Sequence, residues 1–345
     1  MKKYVTLVVI LVLVILAHIF FISPLISSKP EVESKFQKPL LKSDGSTVPV
    51  RHTYKVTSQN PRFGKFFDYR KAVWDDKLSV KDSKQAHSGI LVDLDTHKVL
   101  WAKNPRVGVA IASMTKMMTL LLAFEALDKR SDLDLDTPIK VSPGAAGMGG
   151  SQVDLDVRET HPFGELLKTM AIKSANDSAY LVAEYLGDNS MAHFIAAMNK
   201  RAYKLNMPST NFINVHGLTG DDKTNSTSSP EGLAILAEHL LQYPLLIKWT
   251  STRLDYFRPE GNKHRQMLNN TNSLLLKCPG VDGIKTGYTK AAGYCVTASC
   301  QRGGKRLVAV VTGFKSYKTR AAFVSKLFDW GYKKALEIEN LPKKK

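Results

Sequence analysis

Ser113 and Lys116 lie three positions apart, a spacing that puts an amine beside a hydroxyl on a helix. A serine hydroxyl is a poor nucleophile until a base removes its proton. An amine is such a base at neutral pH only when a dry pocket or a second cation lowers its pKa. Two further groups complete a candidate acyl-transfer site. They are Ser174-Ala175-Asn176 and the sequence Lys285-Thr286-Gly287, whose lysine can supply the second cation. Each motif alone is weak: S-x-N also occurs at Ser58 and Ser209, whereas Lys285-Thr286-Gly287 occurs once. Their shared order and setting make the pattern strong. The S-x-x-K opens an apolar stretch, where Ser113 also gains from a helix N-terminus, and the K-T-G sits on a strand before a turn. The alternative for Lys116 is a solvated helix lysine.

Other chemistries find no support. The nine histidines form no H-E-x-x-H. There is no G-x-x-x-x-G-K-[ST] phosphate loop and no G-x-S-x-G nucleophile elbow. The cluster Gly144, Gly147, Gly149 and Gly150 follows no strand and reads as a surface loop. Cys278, Cys295 and Cys300 lack zinc-ligand spacing. They read as buried free thiols, with a Cys278–Cys300 disulfide as the alternative if their strands form a hairpin. No cofactor and no metal is expected.

The elements that must position these residues read as an α+β fold. Residues 89–95 and 98–102 form a hairpin turning at Thr96 and His97. Residues 114–127 are apolar around most of a helix and imply a buried central helix. Residues 163–187 and 190–206 read as two more helices. Strands return at 281–285, 293–299 and 307–313, and 320–332 closes with a helix. The expected architecture is an antiparallel sheet built from both ends of the domain, flanked by helices, with an inserted all-α subdomain.

Ahead of this lies a 19-residue apolar run, 4–22, behind Lys2 and Lys3. As a helix it would span about 28 Å, close to the bilayer core, with positive-inside orientation. Residues 1–22 therefore read as a membrane anchor or a signal peptide. Residues 23–80 read as a basic, Pro-containing linker, and 81–345 as the catalytic domain. The rest of the chain would then lie outside the cytoplasmic membrane. The net charge of +18 in 345 residues first suggests a polyanion such as nucleic acid. Lys2, Lys3 and the 11 basic and 6 acidic residues of 23–80 account for +7 of it. With the chain exported, nucleic acid is not an expected partner.

The sequence resembles the low-molecular-mass penicillin-binding proteins, the serine D-alanyl-D-alanine carboxypeptidases, which share a fold with the serine β-lactamases. The resemblance runs over roughly 85–332. It rests on residues 112–119 (ASMTKMMT), 173–177 (KSAND), 215–218 (VHGL), 281–289 (VDGIKTGYT), 292–294 (AGY) and 328–332 (FDWGY). It implies that Ser113 attacks the carbonyl between two terminal D-alanines with Lys116 as general base. It makes the N–H groups of Ser113 and Tyr288 the oxyanion hole. It has Ser174 and Lys285 pass a proton to the leaving amine. Asn176 would hold the peptide amide and Lys116. Thr286, Gly287 and Arg320 would lie where the terminal carboxylate binds. The implied partners are peptidoglycan peptides, β-lactam antibiotics and the membrane through the N-terminal helix. The implied location is the bacterial cell envelope, on the outer face of the cytoplasmic membrane.

Three departures from the family pattern stand out. Thr271 falls where some relatives carry an arginine, which shifts carboxylate recognition toward Thr286 and Arg320. His216 is expected to pair structurally with Glu231. Only 13 residues follow Tyr332, so no C-terminal β domain is expected and anchoring falls to the N-terminus. Two other activities share the trio. A DD-endopeptidase cutting crosslinks uses the same machinery. A serine β-lactamase needs a glutamate for the deacylating water, and 208–214 contains none.

Overall fold

The computed structural model describes residues 80, 83–96 and 98–339. The anchor or signal segment 1–22, nearly all of the linker, His97 and 340–345 lie outside the described residues.

Strands β1 (Ser88–Asp93) and β2 (Lys98–Lys103) come from the start of this region, and β3 (Val281–Thr289), β4 (Gly293–Arg302) and β5 (Lys305–Phe314) from its end. They form one antiparallel sheet of order β2-β1-β5-β4-β3. The sheet is thus built from both ends, as expected. Its central strands are apolar on both sides, because each face is covered. Ile90, Val92, Val308 and Val310 enter the core under the helices, while Leu91, Leu307, Ala309 and Val311 pack toward the closing helix. That helix, α7 (Tyr317–Glu339), buries Phe323, Val324, Leu327 and Phe328 against this second face.

The helical part lies between β2 and β3 in the chain. Helix α1 (Lys116–Lys129) is its centre, with Met117, Met118, Leu120, Leu121, Ala123 and Phe124 buried. Around it stand α2 (Phe163–Ile172), α3 (Asn176–Leu186), α4 (Met191–Lys204), α5 (Pro230–Leu240) and α6 (Pro244–Ser251). The single helix expected over 163–187 is two helices. The chain breaks at 173–175, where Ser174 takes φ 69°, a left-handed conformation that no helix interior accepts. The central helix also starts later than its apolar run. Residues Ala112–Thr115 form a 3₁₀ turn, with Ala112 at φ 47°.

Candidate active site

Ser113 sits in that 3₁₀ turn and Lys116 at the first position of α1. Lys116 Nζ lies 3.2 Å from Ser113 Oγ, 2.6 Å from Asn176 Oδ1 and 2.8 Å from the His216 carbonyl. The lysine is fully buried. Burial, followed by the charge of Lys285, drops its pKa well below that of an ordinary lysine, with Asp177 opposing. His216 acts through its backbone. Its ring Nδ1 accepts from the Leu218 N–H, and burial, with Lys116 adding, lowers it to about 4. The expected His216–Glu231 pair does not form. Glu231 Oε2 instead accepts from Arg106 Nε at 2.9 Å, because α5 presents that carboxylate toward the 105–106 segment.

The chain break at Ser174 is what brings the second motif to the lysine. It lets α3 start afresh at Asn176, whose Oδ1 then faces Lys116. Asn176 Nδ2 donates to the Gly149 carbonyl at 2.7 Å, and its N–H to the Ser151 carbonyl at 2.6 Å. The buried Asp177 carboxylate accepts from the N–H groups of Val153, Leu155 and Ser178. The glycine loop at 149–150 is indeed exposed, yet it is also a wall of the cluster. A Cβ at Gly150 would meet Asn176 Nδ2 at 2.7 Å. Ser174 is buried, and its Oγ finds no partner among the described residues.

Strand β3 closes the other side. Gly287 presses against the serine turn: a Cβ there would lie 2.7 Å from the Ile111 carbonyl and 3.3 Å from Ser113 N. Lys285 is two positions back, so it shares the face that looks at the turn. It is buried, and its Nζ donates to the Thr286 carbonyl at 3.2 Å. Burial, then the charge of Arg320, lowers it to about 7. Thr286 Oγ1 and Thr271 Oγ1 share a 2.7 Å hydrogen bond. Thus the threonine at the departing position stands directly beside the K-T-G threonine. Arg320, near the start of α7, donates from Nη1 to the Cys295 carbonyl at 2.9 Å, and Cys295 pairs with Gly287 in the sheet. Its Nε is buried without a partner among the described residues. Tyr288 is exposed and stacks on Tyr294 at 4.2 Å.

The structure therefore gathers Ser113, Lys116, Asn176, Lys285 and Gly287 around one centre, with Arg320 close enough to act on Lys285. Sequence reading missed the carbonyls of His216 and Gly149 as partners, because a backbone acceptor carries no residue signature. Gly217 was legible only within its motif. Its Cβ would fall 1.9 Å from the Ala112 carbonyl, so only glycine lets that segment reach the serine turn.

A family model described as D-alanyl-D-alanine carboxypeptidase matches residues 76–316. The chain belongs to this family. The matched span holds every residue of the cluster except Arg320. The D-alanyl-D-alanine carboxypeptidase DacF of Bacillus subtilis is 42% identical over 258 residues, 75% of this chain and 65% of that protein. DacA of Escherichia coli is 32% identical over 254 residues, 72% of this chain and 61% of that one. The chain thus spans less than two thirds of the length of these two relatives. Among solved structures, a D-alanyl-D-alanine carboxypeptidase from Mycobacterium tuberculosis superposes with TM-score 0.67 at 26% identity, over 74% of this chain and 93% of that one. A Listeria monocytogenes penicillin-binding protein in its ampicillin-bound form gives TM-score 0.63 at 28% identity, over 72% of this chain and 97% of that one. The fold is that of the penicillin-binding proteins, with mixed helices and an antiparallel sheet.

Proposed function

We propose that the chain is a serine DD-peptidase that removes the terminal D-alanine from peptidoglycan stem pentapeptides through a Ser113 acyl-enzyme. The observation that carries this reading is Lys116: a fully buried amine, 3.2 Å from the Ser113 hydroxyl, with its pKa driven down. A neutral amine has two N–H bonds and one lone pair. Asn176 Oδ1 and the His216 carbonyl accept the two N–H bonds. The lone pair is left for the Ser113 proton.

Ser113 Oγ then attacks the penultimate D-alanine carbonyl while Lys116 takes its proton. The N–H groups of Ser113 and Tyr288 receive the developing oxyanion. The Ser174 hydroxyl, buried and without a partner among the described residues, passes a proton to the leaving D-alanine nitrogen under the charge of Lys285. Thr286, with Thr271 beside it, binds the terminal carboxylate, and Arg320 adds positive charge behind β4. Water then hydrolyses the acyl-enzyme. β-Lactams acylate the same serine, in keeping with the ampicillin-bound relative. Residues 1–22, as an anchor or a signal peptide, deliver the enzyme to the outer face of the cytoplasmic membrane, and if they are retained residues 23–80 space it from the surface.

The test is incubation with a stem pentapeptide ending in D-alanyl-D-alanine, with Ser113→Ala as control. Release of free D-alanine by the wild type alone is the expected result. Cleavage of a crosslinked stem dimer with the pentapeptide left intact would overturn carboxypeptidase in favour of endopeptidase.

A further inference from the structure

Two of the three cysteines meet at the end of the β3–β4 hairpin away from its turn. Cys278 follows a single helical turn, Leu274–Lys277, and Cys300 lies in β4. Cys300 pairs with Val281 across the hairpin, and the Val281 N–H donates back to the Cys278 carbonyl at 3.2 Å. The Cys300 S–H donates to the Pro279 carbonyl at 3.5 Å, and both thiols are buried side by side, close enough to act on each other's ionisation. Arg302 binds them into one cluster. Its Nε donates to the Pro279 carbonyl at 2.8 Å and its Nη2 to Cys278 Sγ at 3.1 Å, and Cys300 Sγ lies 3.5 Å from the same carbonyl. On its outer side Arg302 Nη1 pairs with the exposed Asp329 at 2.7 Å.

Nothing in the acyl-transfer cluster uses these groups. Their chemistry is nonetheless asymmetric in a useful way. The neighbouring Cys300, against the opposing effect of burial, and then Ser325 and the Arg302 charge favour the Cys278 thiolate, while Cys278 and burial push Cys300 up. Because Arg302 Nη2 donates to Cys278 Sγ at 3.1 Å and supports a thiolate there, Cys278 is the attacking sulfur and Cys300 the resolving one. Cys295 is set apart. It bonds the Ala292 carbonyl near the hairpin's turn, and burial pushes it up to about 11.

We propose that Cys278 and Cys300 are a modification site, an oxidisable dithiol whose disulfide closes the base of the hairpin carrying Lys285, Thr286 and Gly287. The oxidant is a disulfide, small or protein-borne. The Cys278 thiolate attacks one of its sulfurs, forming a mixed disulfide and releasing a thiolate. Cys300 gives up its proton to that thiolate and attacks Cys278 Sγ, forming the Cys278–Cys300 bond and releasing the second sulfur as a thiolate that takes a proton from water. Two electrons pass to the oxidant, which leaves as two thiols. The closed loop runs from 278 to 300 and contains the whole of β3, so its unfolded alternatives are restricted.

The inference is independent of the peptidase reading. Full-length protein is incubated with oxidised glutathione, alkylated, weighed intact and peptide-mapped. The expected result is loss of two hydrogens, one Cys278–Cys300 crosslink and an alkylated Cys295. The thermal midpoint rises by about 5 °C and returns on reduction. Cys278→Ser and Cys300→Ser each abolish crosslink and rise, and Cys295→Ser keeps both. A stable glutathione adduct on Cys278 with Cys300 still alkylatable, an unchanged thiol count, or a crosslink through Cys295 would overturn the proposal. The mapping is made on the wild type, so it stands even where a variant folds poorly.

Discussion

Two lysine ammonium groups buried within one cluster each lose hydration and repel one another, so they do not both stay charged. Lys116 has two acceptors that suit a neutral amine, which leaves Lys285 as the cation. The rate of acylation therefore depends on pH in two directions. At low pH Lys116 is protonated and the base is lost, so the rate climbs as pH rises through its lowered pKa. Lys285 loses its charge as pH passes about 7, and the rate falls again. Arg320 is one cause of the low Lys285 value. Arg320→Gln should move the alkaline limb to higher pH, whatever it does to the maximal rate. Acylation rates with a fluorescent penicillin from pH 5 to 10 check this, and an unmoved limb would remove Arg320 from the account. At this scale the sequence was largely readable, because the side chains that do chemistry have distinctive types and spacing. The exceptions were backbone carbonyls and the partner of His216, which depend on where α5 lies.

The serine turn is held between two glycines from distant segments, Gly217 and Gly287. Gly217 has φ +86°, and its Cβ would overlap the Ala112 carbonyl. Gly217→Ala should both strain the backbone and displace Ser113. Gly287→Ala keeps an extended φ but pushes β3 off the turn. We expect acylation to fall about 100-fold or more in each, since sub-ångström placement controls such reactions. Gly217→Ala should also melt earlier. Stopped-flow acylation beside thermal melts separates the two effects. Element types were readable where periodicity was long, as in α1 and the three C-terminal strands. Helix α5 was missed although its start signals are present: Ser229 caps the Gly232 N–H at 3.1 Å, followed by Pro230 and Glu231. Ten of its eleven residues are buried, so it shows no amphipathic stripe to find. The 173–175 break was blurred for a different reason. A left-handed serine is imposed by the packing of Asn176 and Asp177, not by local preference.

At the scale of the molecule, the α+β class and the sheet's two-ended construction followed from element order alone. What the order did not reveal is how the stretch facing the active-site loop is secured. Arg258, with its side chain 1% exposed, bonds Glu159 at 2.6 and 2.7 Å and the carbonyls of Val153, Asp154 and His264. Glu159, Asp154 and Val153 lie 99 to 105 positions away, beyond the reach of any spacing rule, while His264 is local. The Arg258 pairing holds Glu159 at about 2, against an ordinary 4.5. A depressed carboxyl stabilises the fold above its unfolded pKa, and that share is lost as pH falls from about 4.5 toward 2. Glu159→Gln leaves a buried guanidinium without its counter-charge and should cost about 3 kcal/mol, or about 6 °C or more in melting. The variant should also lose less stability than the wild type on acidification, which melts at pH 7 and pH 3 resolve. The charge of +18 belongs to this scale as well. Only Lys116, Lys285 and Arg320 are tied to the proposed chemistry, and the remainder of the charge makes the protein basic.

The central claim is that Lys116 arms Ser113 for acyl transfer, and mass spectrometry after incubation with penicillin tests it most directly. The account predicts one penicilloyl adduct, mapped to Ser113, absent in Ser113→Ala and formed about 1,000-fold more slowly in Lys116→Ala. A folded wild type that forms no adduct, or one that carries it on another residue, would contradict it.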